Sequence, residues 1–157
     1  MAPDRPTSKP GSSNSSAANA LNHGTSVLRE HIALCREYLG LVERENHALS
    51  GSDPFDAAAF NQGRQSLMSR LSQSSESLQQ FRAQWQEWTD DQRNQQSEIS
   101  TLVRLAQDLA MKILVLDREN EQHLLRRGLL TPQQLPSAQR QRPHFIADLY
   151  KRGGGQG

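Results

Sequence analysis

Apolar residues recur at alternating steps of four and three through three successive stretches of the chain. The first runs Leu28, Ile32, Cys35, Leu39, Val42, Asn46 and Leu49, with Val27, Leu34, Tyr38 and Leu41 widening the stripe. Such spacing places one helix face against a partner and predicts a helix of about 26 residues from Thr25, ~39 Å long at ~1.5 Å per residue. Ser50-Gly51 ends it, because glycine tolerates the left-handed conformation past a helix C-terminus. Asp53 then offers an N-cap carboxylate, and Pro54 suits the first helical position, where its missing N–H costs nothing.

The second stretch is Phe60, Arg64, Leu67, Leu71, Ser74, Leu78, Phe81, Trp85 and Trp88. Arg64 and Ser74 make this stripe leaky, and its far end gathers the aromatics. No Gly or Pro closes it; the best boundary is Thr89-Asp90-Asp91-Gln92, which matches a capping box. The third stretch is Ile99, Leu102, Ala106, Leu109, Ile113, Leu116, Asn120 and His123, ending near Gly128. The expected fold is all-α: an elongated antiparallel three-helix bundle or coiled coil over residues 25–128.

Flanking segments differ in kind. Residues 1–24 are rich in Ser, Pro, Gly and Asn and bury too little apolar area to offset the entropy of ordering, so a disordered arm is expected. Residues 129–157 form a basic tail in which Pro132, Pro136 and Pro143 prevent a long helix. One short amphipathic element is expected there, over 143–152, with Phe145, Ile146, Leu149 and Tyr150 on one face.

Composition supports a thin bundle over a thick globule: of 157 residues 34% are apolar, and mean hydropathy is −0.76. Cys35 is the sole cysteine, which excludes an intramolecular disulfide and favours a reducing, cytoplasmic setting. The longest aliphatic run, Ile113 to Leu116, is too short to cross a membrane, and the first 24 residues lack a signal-like apolar stretch. Residues 25–125 carry ten basic and fifteen acidic side chains, whereas 126–157 carry six basic and one acidic. The tail is therefore electrostatically distinct from the body.

Chemistry-bearing patterns are sparse. No glycine-rich phosphate loop or nucleophile elbow occurs, so neither an enzyme nor a cofactor is expected. Glu43 with His47 and Glu119 with His123 sit at i,i+4, but di-iron bundles use a three-residue Glu-to-His step and further inward carboxylates; solvated histidines beside carboxylates are the simpler reading. Arg126, Arg127, Arg140, Arg142, Lys151 and Arg152, interleaved with His144, Phe145 and Tyr150, would suit a nucleic-acid tail. The acidic body and the lack of a groove-reading module weigh against that partner. Phe81, Trp85 and Trp88 have core spacing, or would form a partner patch if exposed. Cys35 reads as a small apolar seam residue.

Arg44-Glu45-Asn46 and Arg118-Glu119-Asn120 are identical tripeptides with each Asn in seam register. In an up-down-up bundle the first and third helices run parallel, so the two amides reach the same end. Asn46 and Asn120 would then satisfy each other and fix register at some cost in stability; a frayed, hydrated end is the other reading.

"LGLVERENHAL" followed by "SDPFDAAAFNQGRQSLMSRL", and the later "LVLDREN", resemble FlgN-type flagellar export chaperones over roughly residues 25–125. A Gln-Gly-Arg stands here where that family commonly has a Lys. The resemblance implies a cytoplasmic, non-catalytic chaperone of type III flagellar secretion that holds hook-filament junction subunits before export. It implies client contacts on the third helix and onward, here Leu124, Leu125, Leu129 and the Phe145, Ile146, Leu149, Tyr150 face, the last also open to the export apparatus. The long basic "QRPHFIADLYKR" ending departs from the family pattern. The competing class is a coiled-coil scaffold or adaptor, including a homo-oligomer.

Overall fold

The computed structural model describes residues 13–130, which form three long helices and one short one. They are α1 (Ser13–Ser50), α2 (Ala57–Gln86), α3 (Asp90–Asn94) and α4 (Ser97–Arg126). All regular structure among these residues is helical. Residues 1–12 of the expected arm, and 131–157 of the tail with Phe145, Ile146, Leu149 and Tyr150, lie outside them.

α1 begins at Ser13, twelve residues before the expected start at Thr25, so residues 13–24 are helical and not part of a disordered arm. The last turn of this extension is held by tertiary burial. Leu21 packs on a cluster of Leu28, Phe81 and Ile99, and Gly24 is buried directly against the Phe81 ring, where an added Cβ would lie 2.0 Å from Cε2. Contacts of this kind override weak local propensity.

α2 is capped by Asp56, not Asp53: the Asp56 carboxylate accepts from the Ala59 N–H at 3.1 Å. Phe55 and Phe60 stack across this cap with centroids 5.2 Å apart and planes within 5°, a hydrophobic staple that fixes where the chain enters the helix. Pro54 consequently precedes the helix. At the other end Thr89 and Gln92 form the expected capping box, but what it opens is the five-residue α3. α4 starts separately at Ser97 and ends as expected, with Gly128 at φ +70°. The Leu129 N–H bonds the Leu124 carbonyl and the Gly128 N–H that of Leu125, closing a Schellman motif.

Cross-helix pairs give the directions. Arg29 with Glu98 near one end and Asn46 with Asn120 near the other make α1 and α4 parallel. Gly24 with Phe81, Glu37 with Arg70 and Glu45 with Arg64 make α2 antiparallel to α1. α1 is the central helix, packed against both α2 and α4. Its buried positions therefore span two faces: Val27, Leu28, Ile32, Cys35, Tyr38, Leu41, Val42 and Leu49. The main cluster joins Ile32, Cys35, Tyr38 and Val42 of α1 to Leu71 of α2 and Ala106, Leu109, Ala110 and Ile113 of α4. Met111 and Val115 point outward, 58% and 54% exposed. No helix among the described residues is long and apolar enough to cross a membrane.

Candidate functional site

Where the three long helices meet below the α1–α2 loop, the interior turns polar. Arg64 of α2, expected as a leak in the seam, reaches between a carboxylate of α1 and one of α4. It donates to Glu45 and to the Tyr38 hydroxyl at 3.3 Å, and its Nη1 stands 3.0 Å from Asp117 Oδ1 as an ion pair. Glu45, Asp117 and Tyr38 are 4%, 8% and 2% exposed, so the guanidinium is the counter-charge of two carboxylates withdrawn from water. Burial opposes the Arg64 charge, but Asp117, Tyr38 and Glu45 outweigh it and push its pKa above the ordinary arginine value. Burial, then the Asp117 charge, raises the Tyr38 phenol likewise.

Asn46 and Asn120 meet in the same network. The Asn46 amide donates to Asn120 Oδ1 at 2.9 Å. Asn120 Nδ2 donates to the Val42 carbonyl at 3.1 Å and to Glu45 Oε2 at 3.2 Å. The two Arg-Glu-Asn tripeptides are thus not equivalent in place: in the first Glu45 is buried and Asn46 half-buried, in the second Asn120 is buried and Glu119 exposed. The arrangement is chemically a clamp, one fork-shaped cation across two anions with an amide closing the remaining side.

A second polar cluster lies nearer the middle of α2. The His31 ring, fully buried on α1, has Nδ1 2.9 Å from Ser74 Oγ, while its Nε2 has no partner. The Ser75 hydroxyl, 1% exposed, also has none. Burial lowers the His31 pKa to about 4. Cys35 is fully buried and burial pushes its thiol up to about 12, far from a reactive thiolate.

Aromatics form a ladder at the far end. Phe81 and Trp85 have centroids 6.0 Å apart, Trp85 and Trp88 5.3 Å. Phe81 is core, but both tryptophans are half-buried. Of the i,i+4 pairs, Glu43, His47 and Glu119 are exposed and His123 half-buried; among the described residues no three His, Cys, Asp or Glu side chains gather as a metal site requires. Leu124 and Leu125 are half-buried on the last turn of α4, and Leu129 is 46% exposed just beyond it. Arg127, read as part of the basic tail, instead donates to the carbonyls of Gly51 and Asp53 and ties the end of α4 to the α1–α2 loop.

Sequence reasoning flagged Arg64, Ser74, Asn46 and Asn120 but passed over His31, Glu45, Ser75 and Asp117. A buried seam Arg implies carboxylates within its reach on the neighbouring helices, and that implication was the available signal.

The fold and network define an all-helical bundle clamped by a buried ion-pair cluster. No family model, curated protein or solved structure matches the chain.

Proposed function

We propose that the protein binds amphipathic helices of other proteins, and that it is a cytoplasmic chaperone of the FlgN type, non-catalytic, holding hook-filament junction subunits before type III export. The observation that carries the helix-binding part is the uneven packing of α2. Of its residues only Leu71, Ser75 and Phe81 are fully buried, against eight on α4. A bundle with one weakly seated helix can trade that contact for a partner helix, the helix-in-groove mode of recognition. What supports the flagellar assignment is the sequence resemblance over residues 25–125.

The test is co-purification and titration with recombinant hook-filament junction subunits. A defined complex is expected, with affinity carried by the end of α4 and the segment after it. Phe145→Ala with Leu149→Ala is expected to leave the melting temperature nearly unchanged and to weaken binding by ~1–3 kcal/mol, the range of a lost hot-spot contact. A concentration-dependent mass with no affinity for these subunits refutes the chaperone and favours a self-associating scaffold. A melting loss with unchanged affinity shows instead that the segment belongs to the fold.

A further inference from the structure

We infer that the surface of α1 and α4 beneath α2 is itself the receptor for a partner helix, and that α2 is the element displaced when that helix binds. This rests on the helix-binding part of the proposed function and not on the flagellar assignment.

α2 is held differently along its length. Arg64 pins one end between Glu45 and Asp117, and Phe81 pins the other over Gly24. Between the pins lie Ser75 Oγ and His31 Nε2, both buried and both without a partner. Buried polar atoms left unpaired weaken the interface that buries them. The loop 51–56 before α2 and the segment 87–96 after it, which holds only the five-residue α3, let α2 swing away without interrupting α1 or α4. α1 packs more extensively against α4 than against α2.

The vacated seat specifies its occupant by charge and shape. At one end stand two carboxylates with one counter-charge removed; an Arg fits them better than a Lys because its planar fork serves both. At the other end Gly24 leaves a notch the size of an aromatic ring. The partner is therefore an amphipathic helix antiparallel to α1, with an Arg followed seventeen residues on by a Phe or similar ring, as Phe81 follows Arg64. Leu or Met fills the turns between. A side chain that reaches His31 Nε2 from the middle of that helix makes a bond that α2 leaves unmade, which is how a partner in solution competes against a tethered α2.

Hydrogen exchange on the full chain tests the displacement. Amides of residues 67–82 are expected to exchange about tenfold or more faster than the slowest amides of 32–42 and 106–114. Equal protection in all three helices overturns the inference. The seat is tested with a fluorescent peptide of residues 57–86 added to the full chain carrying Arg64→Glu, which repels its own α2. That chain is expected to bind the peptide about tenfold more tightly than wild type does, and to lose it when the peptide also carries Arg64→Glu. A helical Arg64→Glu chain that ignores the wild-type peptide overturns the receptor. Should Arg64→Glu unfold the chain, Ser75→Ala decides: slower exchange confined to α2 supports the inference, and no change or a uniform change overturns it. Failure of hook-filament junction subunits to bind, with these results positive, removes the flagellar client and leaves the receptor standing.

Discussion

Arg64→Met is the sharpest test of the buried clamp, because the chain contains its own control. Methionine keeps the length and apolar stem of the side chain but removes the charge that serves Glu45 and Asp117. Those carboxylates have side chains 5% and 11% exposed, so neither recovers full hydration once the guanidinium is gone. Breaking a buried pair on one side costs ~3–5 kcal/mol in general. Arg64 itself is 24% exposed, so water reaches one edge of the site, and a loss near the lower limit, about 3 kcal/mol, is expected. The Arg70–Glu37 pair also joins α2 to α1, with Nη1 2.7 Å from Oε2, but both side chains are half exposed. Arg70→Met should change stability little, because water already solvates both partners.

Urea unfolding followed by circular dichroism at neutral pH measures both variants. Equal small losses for Arg64→Met and Arg70→Met refute the clamp.

Two further predictions rest on single contacts. Gly24→Ala is expected to destabilise by ~1–3 kcal/mol, although Ala is normally favoured over Gly inside a helix by ~0.5–1 kcal/mol, because the added Cβ meets the Phe81 ring. In a Phe81→Ala background the same substitution should become stabilising, and a melting-temperature cycle that shows no reversal refutes the notch. His31 has a folded pKa of about 4 against an ordinary 6.5, so its contribution is complete above pH 6.5 and is lost as pH falls toward 4. The change is on the order of 3 kcal/mol, and His31→Gln should remove that part of the stability profile; an unchanged slope between pH 4 and 6.5 counts against a buried neutral imidazole.

Periodicity made the three long helices legible, and the seam positions of Asn46 and Asn120 alone imply that the two amides meet at one end. What periodicity missed has a common cause. α1 lies between two helices and is buried on two faces, so a single four-three seam describes only part of its interior. His31 and Glu45 fall beside that seam, and as polar residues they look solvated to any pattern that rewards apolar spacing. Asp117 escaped for the same reason, one position after Leu116. Local signals also competed: Asp53-Pro54 is a sound helix start in isolation, but the Phe55–Phe60 stack three residues on decides for Asp56. The helical segment from Ser13 to Gly24 lacks an apolar stripe, and its packed end, Leu21 and Gly24, rests on the cluster around Phe81, over fifty residues away.

The placement of polar groups on the α2 side bears on register more than on strength. A wholly apolar α2 stripe would bind α1 and α4 more tightly, since replacing a buried ion pair by well-packed apolar residues is often neutral or stabilising by ~1–4 kcal/mol. It would also slide, because leucines every three or four residues are nearly interchangeable when a helix shifts by one heptad. Arg64 meets Glu45 and Asp117 in one register, and Phe81 fits the Gly24 notch in that same register. A shift in either direction strands two buried carboxylates and drives an aromatic ring into helix backbone. Such a helix can leave its seat and return to the same place, which a stronger but featureless apolar stripe would not ensure. Exchange of α2 for a partner helix needs that property, and it follows here from one arginine, two carboxylates and one missing side chain.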